Sequence, residues 1–136
     1  MKTGVRFGAI GAIMMTITMV FAMPMSAGET AKDWTVLIYL DGDNSLESYV
    51  DLNIGWIEEC GSDDNVNFVA LIDTLSGPAD LIYVTEGLDT SISVGADYGF
   101  PKEVNMGDPA VLAEFIETGI KEYPAEKYAL DLWDHG

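Results

Sequence analysis

The sequence contains one cysteine, one histidine and few basic residues, and the first and last of these shortages each exclude a class of structure or function. Because Cys60 is the only cysteine, the chain cannot form an intrachain disulfide. The sequence has six lysines and arginines and 23 aspartates and glutamates, which gives a net charge of −17. This balance excludes nucleic acid as a partner, because phosphate binding requires clustered Lys and Arg. An acidic surface is compatible with binding of cationic substrates or divalent cations. It is equally compatible with a surface that only keeps the protein soluble.

Residues 1–27 are typical of a secretory signal peptide. They have a basic start, an uncharged and mostly apolar run over residues 7–23, and small residues at the exit. We expect cleavage after Ala27, with Ala22 as the alternative site; a retained membrane anchor is the competing interpretation of the apolar run. The mature domain is then residues 28–136, which we expect to be secreted or at the cell surface, with no membrane contact after cleavage.

Short apolar runs after residue 28 predict strands, and two stretches with helical spacing lie between them. The predicted strands are 34–40, 66–72, 81–85 and 127–133. One predicted helix follows Asn44, whose spacing to Glu47 is that of a capping box, and the other follows Asp108, with Pro109 at the first helical position. Residues 86–102 predict an irregular loop. The order strand, helix, strand, strand, helix, strand predicts an α/β domain with a mostly parallel sheet and helices on both faces.

The last predicted strand is apolar enough to be covered on both faces, although Asp131 conflicts with this because a buried unpaired carboxylate is costly. Parallel strands point the same way, so the residues after them share the sheet edge where α/β proteins bind ligands. A histidine there is placed to act as a general base, and a following glycine lets a substrate carbonyl approach its N–H as an oxyanion hole requires. The plainer interpretation is a structural or surface histidine without a catalytic role. The residues expected at this edge are Asp41, Asp43, Asp73, Asp134, His135 and Gly136.

Cys60 is the obvious candidate nucleophile, but the predicted topology argues against it. It lies at the end of the first predicted helix, which runs antiparallel to the strands, so Cys60 and His135 belong to opposite edges of the sheet. A helix of about 15 residues separates the edges by roughly 22 Å. Because a thiol must lie within hydrogen-bond reach of its base, we reject a Cys60–His135 dyad and interpret Cys60 as a small packed residue.

The segment 41–45 resembles the start of an EF-hand calcium loop, which requires Gly at its sixth position and Glu at its twelfth. Leu46 and Leu52 occupy those positions, so the EF-hand match fails. A calcium role for Asp41 and Asp43 in another geometry stays open, next to the plainer interpretation as loop and cap residues.

Three segments resemble the clostripain-like cysteine peptidases (peptidase family C11), in the order of that family. They are WTVLIYLDGDNSLE at 34–47, EVNMGDP at 103–109 and YALDLWDHG at 128–136. The resemblance implies a three-layer, caspase-like α/β/α sandwich and a Cys–His dyad that hydrolyses peptide bonds, with preference for a basic residue before the cut. It implies that His135 is the catalytic histidine and that the amide of Gly136 helps to bind the oxyanion. It also implies export, proteolytic processing and help from calcium, without assigning a calcium ligand.

The nucleophilic cysteine of that family follows a strand beyond Gly136. Residues 28–136 therefore correspond to the N-terminal part of a caspase-like peptidase domain, cut in mid-sheet. We expect these residues to be inactive alone, with the remainder of the domain as partner and a peptide or protein as substrate. A short exported acidic binding module is the alternative from another class, and an inactive gene remnant fits the sequence equally well. An apolar final strand left unpaired at a sheet edge argues against the module.

Overall fold

The computed structural model describes residues 31–135, which form a five-stranded sheet with helices on both faces. The strands are β1 (Lys32–Gly42), β2 (Val66–Thr74), β3 (Gly77–Tyr83), β4 (Ile92–Ser93) and β5 (Ala125–Trp133), and the helices are α1 (Glu47–Glu58) and α2 (Pro109–Glu122). The expected signal peptide and Gly136 lie outside the described residues. Within the described range, no helix is long and apolar enough to cross a membrane.

The strand order is β4-β3-β2-β1-β5, with β1 at the junction of two crossovers. β1 pairs in parallel with β2 on one side and with β5 on the other, whereas β3 forms an antiparallel hairpin with β2. The segment predicted as an irregular loop, 86–102, contributes the two-residue β4 and a short 3-10 helix, Gly95–Tyr98. The predicted α/β fold with a parallel centre is confirmed.

The two helices cover opposite faces of β1, because successive residues of a strand point to opposite sides. On one face, Val50 and Ile54 of α1 pack in a cluster that includes Ile38 and Leu40. On the other, Phe115 of α2 packs in a cluster with Leu37 and Tyr39, and the rings of Tyr39 and Phe115 lie 5.7 Å apart. These two cores make the three-layer α/β/α sandwich that the sequence predicted.

The cap predicted for the start of α2 is present in the structure, and the capping box predicted for the start of α1 is not. Asp108 caps α2 by accepting a hydrogen bond from the Ala110 N–H at 2.9 Å, with Pro109 at the first helical position. The predicted capping box of α1 does not form: the carboxylate of Glu47 accepts instead from the Ser76 N–H at 2.8 Å. A tertiary contact to the β2–β3 turn therefore replaces the local one.

The expectation that β5 is covered on both faces is wrong for the described residues. β5 lies at the edge of the sheet, and Leu130 and Leu132 are 43% and 60% exposed. The physical reason is that α2 packs over β1 and β2, so it leaves β5 uncovered. Asp131 is exposed as well, and its charge needs no buried partner.

Candidate active site

The strand order brings the residues that follow three parallel strands to one edge of the sheet. Asp41 is paired with Asp73 in the ladder between β1 and β2, and Leu40 is paired with Trp133 in the ladder between β1 and β5. From β1 the chain passes through α1 to β2, which lies on one side of β1. It later passes through α2 to β5, which lies on the other side of β1. Such a switch in direction opens a crevice at the carboxyl ends of the strands. His135 follows Trp133 by two residues, so it lies at this crevice.

Asn44 connects three segments at this edge. Its amide nitrogen Nδ2 donates to Asp134 Oδ1 and to the backbone carbonyl of Asp41, both at 3.0 Å. Its Oδ1 accepts from the Leu46 N–H at 2.7 Å. One side chain therefore joins the end of β1, the turn into α1 and the residue immediately before His135. The sequence pattern predicted a helix cap at Asn44 and missed the contact to Asp134, which is 90 positions away in the chain.

His135 is exposed and lies in an acidic environment. Burial raises the pKa of the Asp41 carboxyl, the negative charge of Asp134 raises it further, and the charge of His135 lowers it. Asp41 therefore lies near enough to both residues for their charges to act on it. An exposed imidazole beside carboxylates at a crevice has the access that a general base requires.

Cys60 lies at the opposite edge of the sheet. It is exposed, follows the end of α1 and precedes Val66, the first residue of β2. The ladders place Val66 level with Lys127 near the start of β5, so the length of β5 from Lys127 to Trp133, roughly 20 Å at strand rise, separates Cys60 from His135. The rejection of a Cys60–His135 dyad agrees with this geometry. The interpretation of Cys60 as a packed residue is wrong, because its side chain is exposed.

A second acidic group lies at the carboxyl edge, on the β2 side. Carboxylate oxygens of Asp43, Asp73 and Glu103 lie within 4.8 Å of one another. Asp73 is 1% exposed, and its Oδ1 has no hydrogen-bond partner among the described residues. Burial and, after it, the charges of Glu103, Asp43 and Asp41 together raise the pKa of Asp73 to about 6. The donor set is all oxygen, as calcium requires, so these residues fit the calcium that the family resemblance implies.

Glu103 was missed by reasoning from sequence, because the contact is not local. The segment that carries it is fixed on both sides. Lys102 exchanges backbone hydrogen bonds with Ala79 on β3, and the carbonyl of buried Met106 accepts from the Tyr39 hydroxyl at 3.2 Å. These anchors place Glu103 over the end of β2. The signal for Glu103 in the sequence is its position in the segment 103–109 that resembles the family.

A cavity of about 620 Å³ opens at the amino edge of the sheet, away from His135. Tyr83 is one of the residues that line it, and its hydroxyl accepts from Lys32 Nζ and donates to Asn67 Oδ1, both at 3.1 Å. The residues that line this cavity include neither the imidazole nor the thiol. We therefore assign the candidate active site to the carboxyl edge, where the ionisable groups and the crevice coincide.

Comparison with known proteins identifies the family. Residues 38–136 match the model of the clostripain family. The chain belongs to this family. It is similar to clostripain of Hathewaya histolytica, with 29% identity over 121 residues that cover 75% of this chain and 23% of the relative. The chain thus spans less than a quarter of the length of that relative.

Solved structures of cysteine proteases have the same fold. A B. fragilis cysteine protease is similar with a TM-score of 0.66 and 26% identity, over 76% of this chain and 89% of that chain. An inactive zymogen C11 protease from Parabacteroides distasonis has a TM-score of 0.65 and 34% identity, over 79% of this chain and 32% of that chain. A secreted C11 cysteine protease from Bacteroides thetaiotaomicron, solved with an irreversible peptide inhibitor, has a TM-score of 0.61 and 28% identity, over 76% of this chain and 29% of that chain. The caspase-like fold predicted from the resemblance is confirmed.

Proposed function

We propose that residues 28–136 are the histidine-bearing, N-terminal part of an exported clostripain-type cysteine endopeptidase. The observation that carries this proposal is the position of His135, exposed after β5 at the crevice of a clostripain-family chain. His135 acts as the general base that removes the proton from a cysteine thiol and returns it to the leaving amine. The amide of Gly136 donates to the oxyanion of the tetrahedral intermediate.

The thiol comes from a segment outside these residues. Cys60 is at the other edge of the sheet, roughly 20 Å from His135, and a dyad requires hydrogen-bond contact. These residues are therefore inactive by themselves and acquire activity when a cysteine-bearing strand adds beside β5. A similar B. fragilis cysteine protease supports a folded unit of about this extent, because the match to this chain covers 89% of that protein's chain.

The substrates are peptides or proteins, cut after Arg or Lys. The family resemblance supports this choice, and the carboxylates of Asp41 and Asp134 beside His135 provide a negative environment that suits a basic side chain. Residues 1–27 direct the chain out of the cell and are removed. A secreted similar protease supports this location.

The proposal is tested by fusing the chain in frame to the cysteine-bearing remainder of the B. thetaiotaomicron relative. We expect the chain alone to leave fluorogenic arginyl and lysyl peptides uncut and the chimera to hydrolyse them. His135→Ala should lower kcat/KM of the chimera by roughly 10²–10⁴-fold, the usual contribution of a general base. Cys60→Ser is the matched control and should leave the rate unchanged.

Two results would contradict the proposal. One is cleavage by the chain alone that disappears with His135→Ala, because the thiol would then have to be Cys60. The other is a chimera whose activity survives His135→Ala.

A further inference from the structure

We propose that Asp43, Asp73 and Glu103 form a calcium site that fastens three segments of the fold together. Each carboxylate comes from a different segment: the loop after β1, the end of β2 and the segment before α2. Their oxygens lie within 4.8 Å of one another, close enough for a single cation to contact all three. The site is separate from the proposed catalytic group, and nothing in the inference depends on peptidase activity.

The buried member of the group points to a ligand. Asp73 is 1% exposed, and its Oδ1 has no hydrogen-bond partner among the described residues. Transfer of a carboxylate out of water without a partner is costly, and two further carboxylates beside it increase that cost. Lysines occur in the described residues, yet none forms an ion pair with this group. A bound divalent cation would supply the missing partner and neutralise most of the charge.

The backbone holds the three carboxylates together without the cation. Gly42 has no side chain, and a Cβ at this position would lie 2.8 Å from the Asp73 carbonyl oxygen, so glycine allows the loop that bears Asp43 to approach the end of β2 closely. On the other side, Lys102 pairs with Ala79, which fixes the neighbouring Glu103. A preformed group of this kind binds an ion without a large rearrangement.

The donor chemistry favours calcium among the common divalent cations. All three donors are carboxylates, whereas structural zinc sites in proteins are built from Cys and His, and catalytic zinc sites include at least one His. Magnesium requires near-ideal octahedral geometry and keeps most of its water, while calcium accepts six to eight oxygens, mono- or bidentate, with variable geometry. Two of the three ligands are exposed, which leaves room for water in the remaining positions. A dissociation constant on the order of 10⁻⁴–10⁻³ M is typical of extracellular calcium modules of this kind.

The test is calorimetric titration of the full chain with CaCl2, combined with thermal unfolding in EDTA and in millimolar calcium. We expect one binding event and a higher Tm with calcium, because a ligand that binds only the folded state stabilises it. Asp73→Asn should raise the Tm in EDTA and abolish the response to calcium, since it removes both the buried charge and the ligand. Glu103→Gln should weaken binding roughly tenfold or more. Asp51→Asn, at an exposed position on α1, is the control and should respond to calcium as the wild type does.

Three outcomes would overturn the inference. The first is no heat of binding and no Tm shift up to several millimolar calcium. The second is a response to calcium that persists in both Asp73→Asn and Glu103→Gln. The third is an equal response to magnesium, which would exclude calcium as the preferred ion. The same measurements on the chimera make the test independent of how well the chain folds by itself.

Discussion

At the scale of the residue, Asn44 determines where the proposed catalytic histidine is held. Its amide is half-buried and makes three hydrogen bonds, one of which fixes Asp134 at 3.0 Å immediately before His135. Substitution of Asn44 by Ala leaves the Asp41 carbonyl and the Leu46 N–H without this partner. The loss of such bonds costs about 1–2 kcal/mol of unfolding free energy.

Asn44 is therefore expected to be a positioning residue for His135. In the chimera, Asn44→Ala should lower kcat by tenfold or more, on the order of what misplacement of a catalytic group costs, with little change in KM. A purely structural role would reduce the amount of folded enzyme and leave kcat per folded molecule unchanged, which active-site titration distinguishes. Asn53→Ala is the matched control, because among residues 31–135 the Asn53 Nδ2 bonds only the Tyr49 carbonyl within α1, at 2.6 Å. A kcat for Asn44→Ala equal to that of the control would contradict the role.

At the scale of the element, Gly119 sets how closely α2 packs on the sheet. A Cβ at this position would lie 2.4 Å from Leu37 Cδ2, and Leu37 is 2% exposed in the core. Gly119→Ala must displace Leu37 or α2, and overpacking of this kind costs roughly 1–3 kcal/mol, more than the gain of about 1 kcal/mol in helix propensity. Gly55→Ala in α1 is the control: of the atoms that the structure describes, its Cβ would meet only Leu88 Cδ1 within 4 Å, at 3.8 Å.

Urea unfolding of both variants checks this prediction. We expect Gly119→Ala to lower the unfolding free energy and Gly55→Ala to leave it equal or raise it by about 0.5–1 kcal/mol. Equal effects of the two substitutions would show that α2 has room to move and that Gly119 is not a packing contact.

The sequence predicts those elements whose signals are local. Asp108 and Pro109 start α2 as expected because cap and first turn are adjacent in the chain. Asn44 and Glu47 have the spacing of a capping box, yet both side chains take partners from distant segments, Asp134 and the β2–β3 turn. Spacing cannot reveal such partners, since they depend on strand order. Glu103 was missed for the same reason.

At the scale of the whole molecule, β5 is the feature that links fold and function. Its composition predicted a strand covered on both faces, and the described residues leave it at an edge, with three large apolar side chains exposed. These are Tyr128, Leu130 and Leu132. An apolar strand with an unpaired edge is a site for pairing with another strand. The proposed peptidase places the cysteine-bearing strand there, whereas a self-sufficient binding module would leave the edge exposed.

The substitution Leu132→Lys separates these two descriptions of β5. Leu132 is 60% exposed in the chain, so a lysine there should change its unfolding free energy by no more than about 0.5 kcal/mol and should reduce self-association, because charge on an edge strand opposes pairing. In the chimera the same position becomes covered, and the lysine should cost roughly 2 kcal/mol or more. Sedimentation velocity and thermal unfolding measure both effects, with Tyr49→Lys, at an exposed position of α1, as the control.

A wild-type chain that sediments as a monomer and unfolds cooperatively, together with a chimera that tolerates Leu132→Lys, would favour the binding module. Association of the chain that Leu132→Lys suppresses, and a chimera that the lysine destabilises, is the result expected of a peptidase component whose sheet is completed at β5.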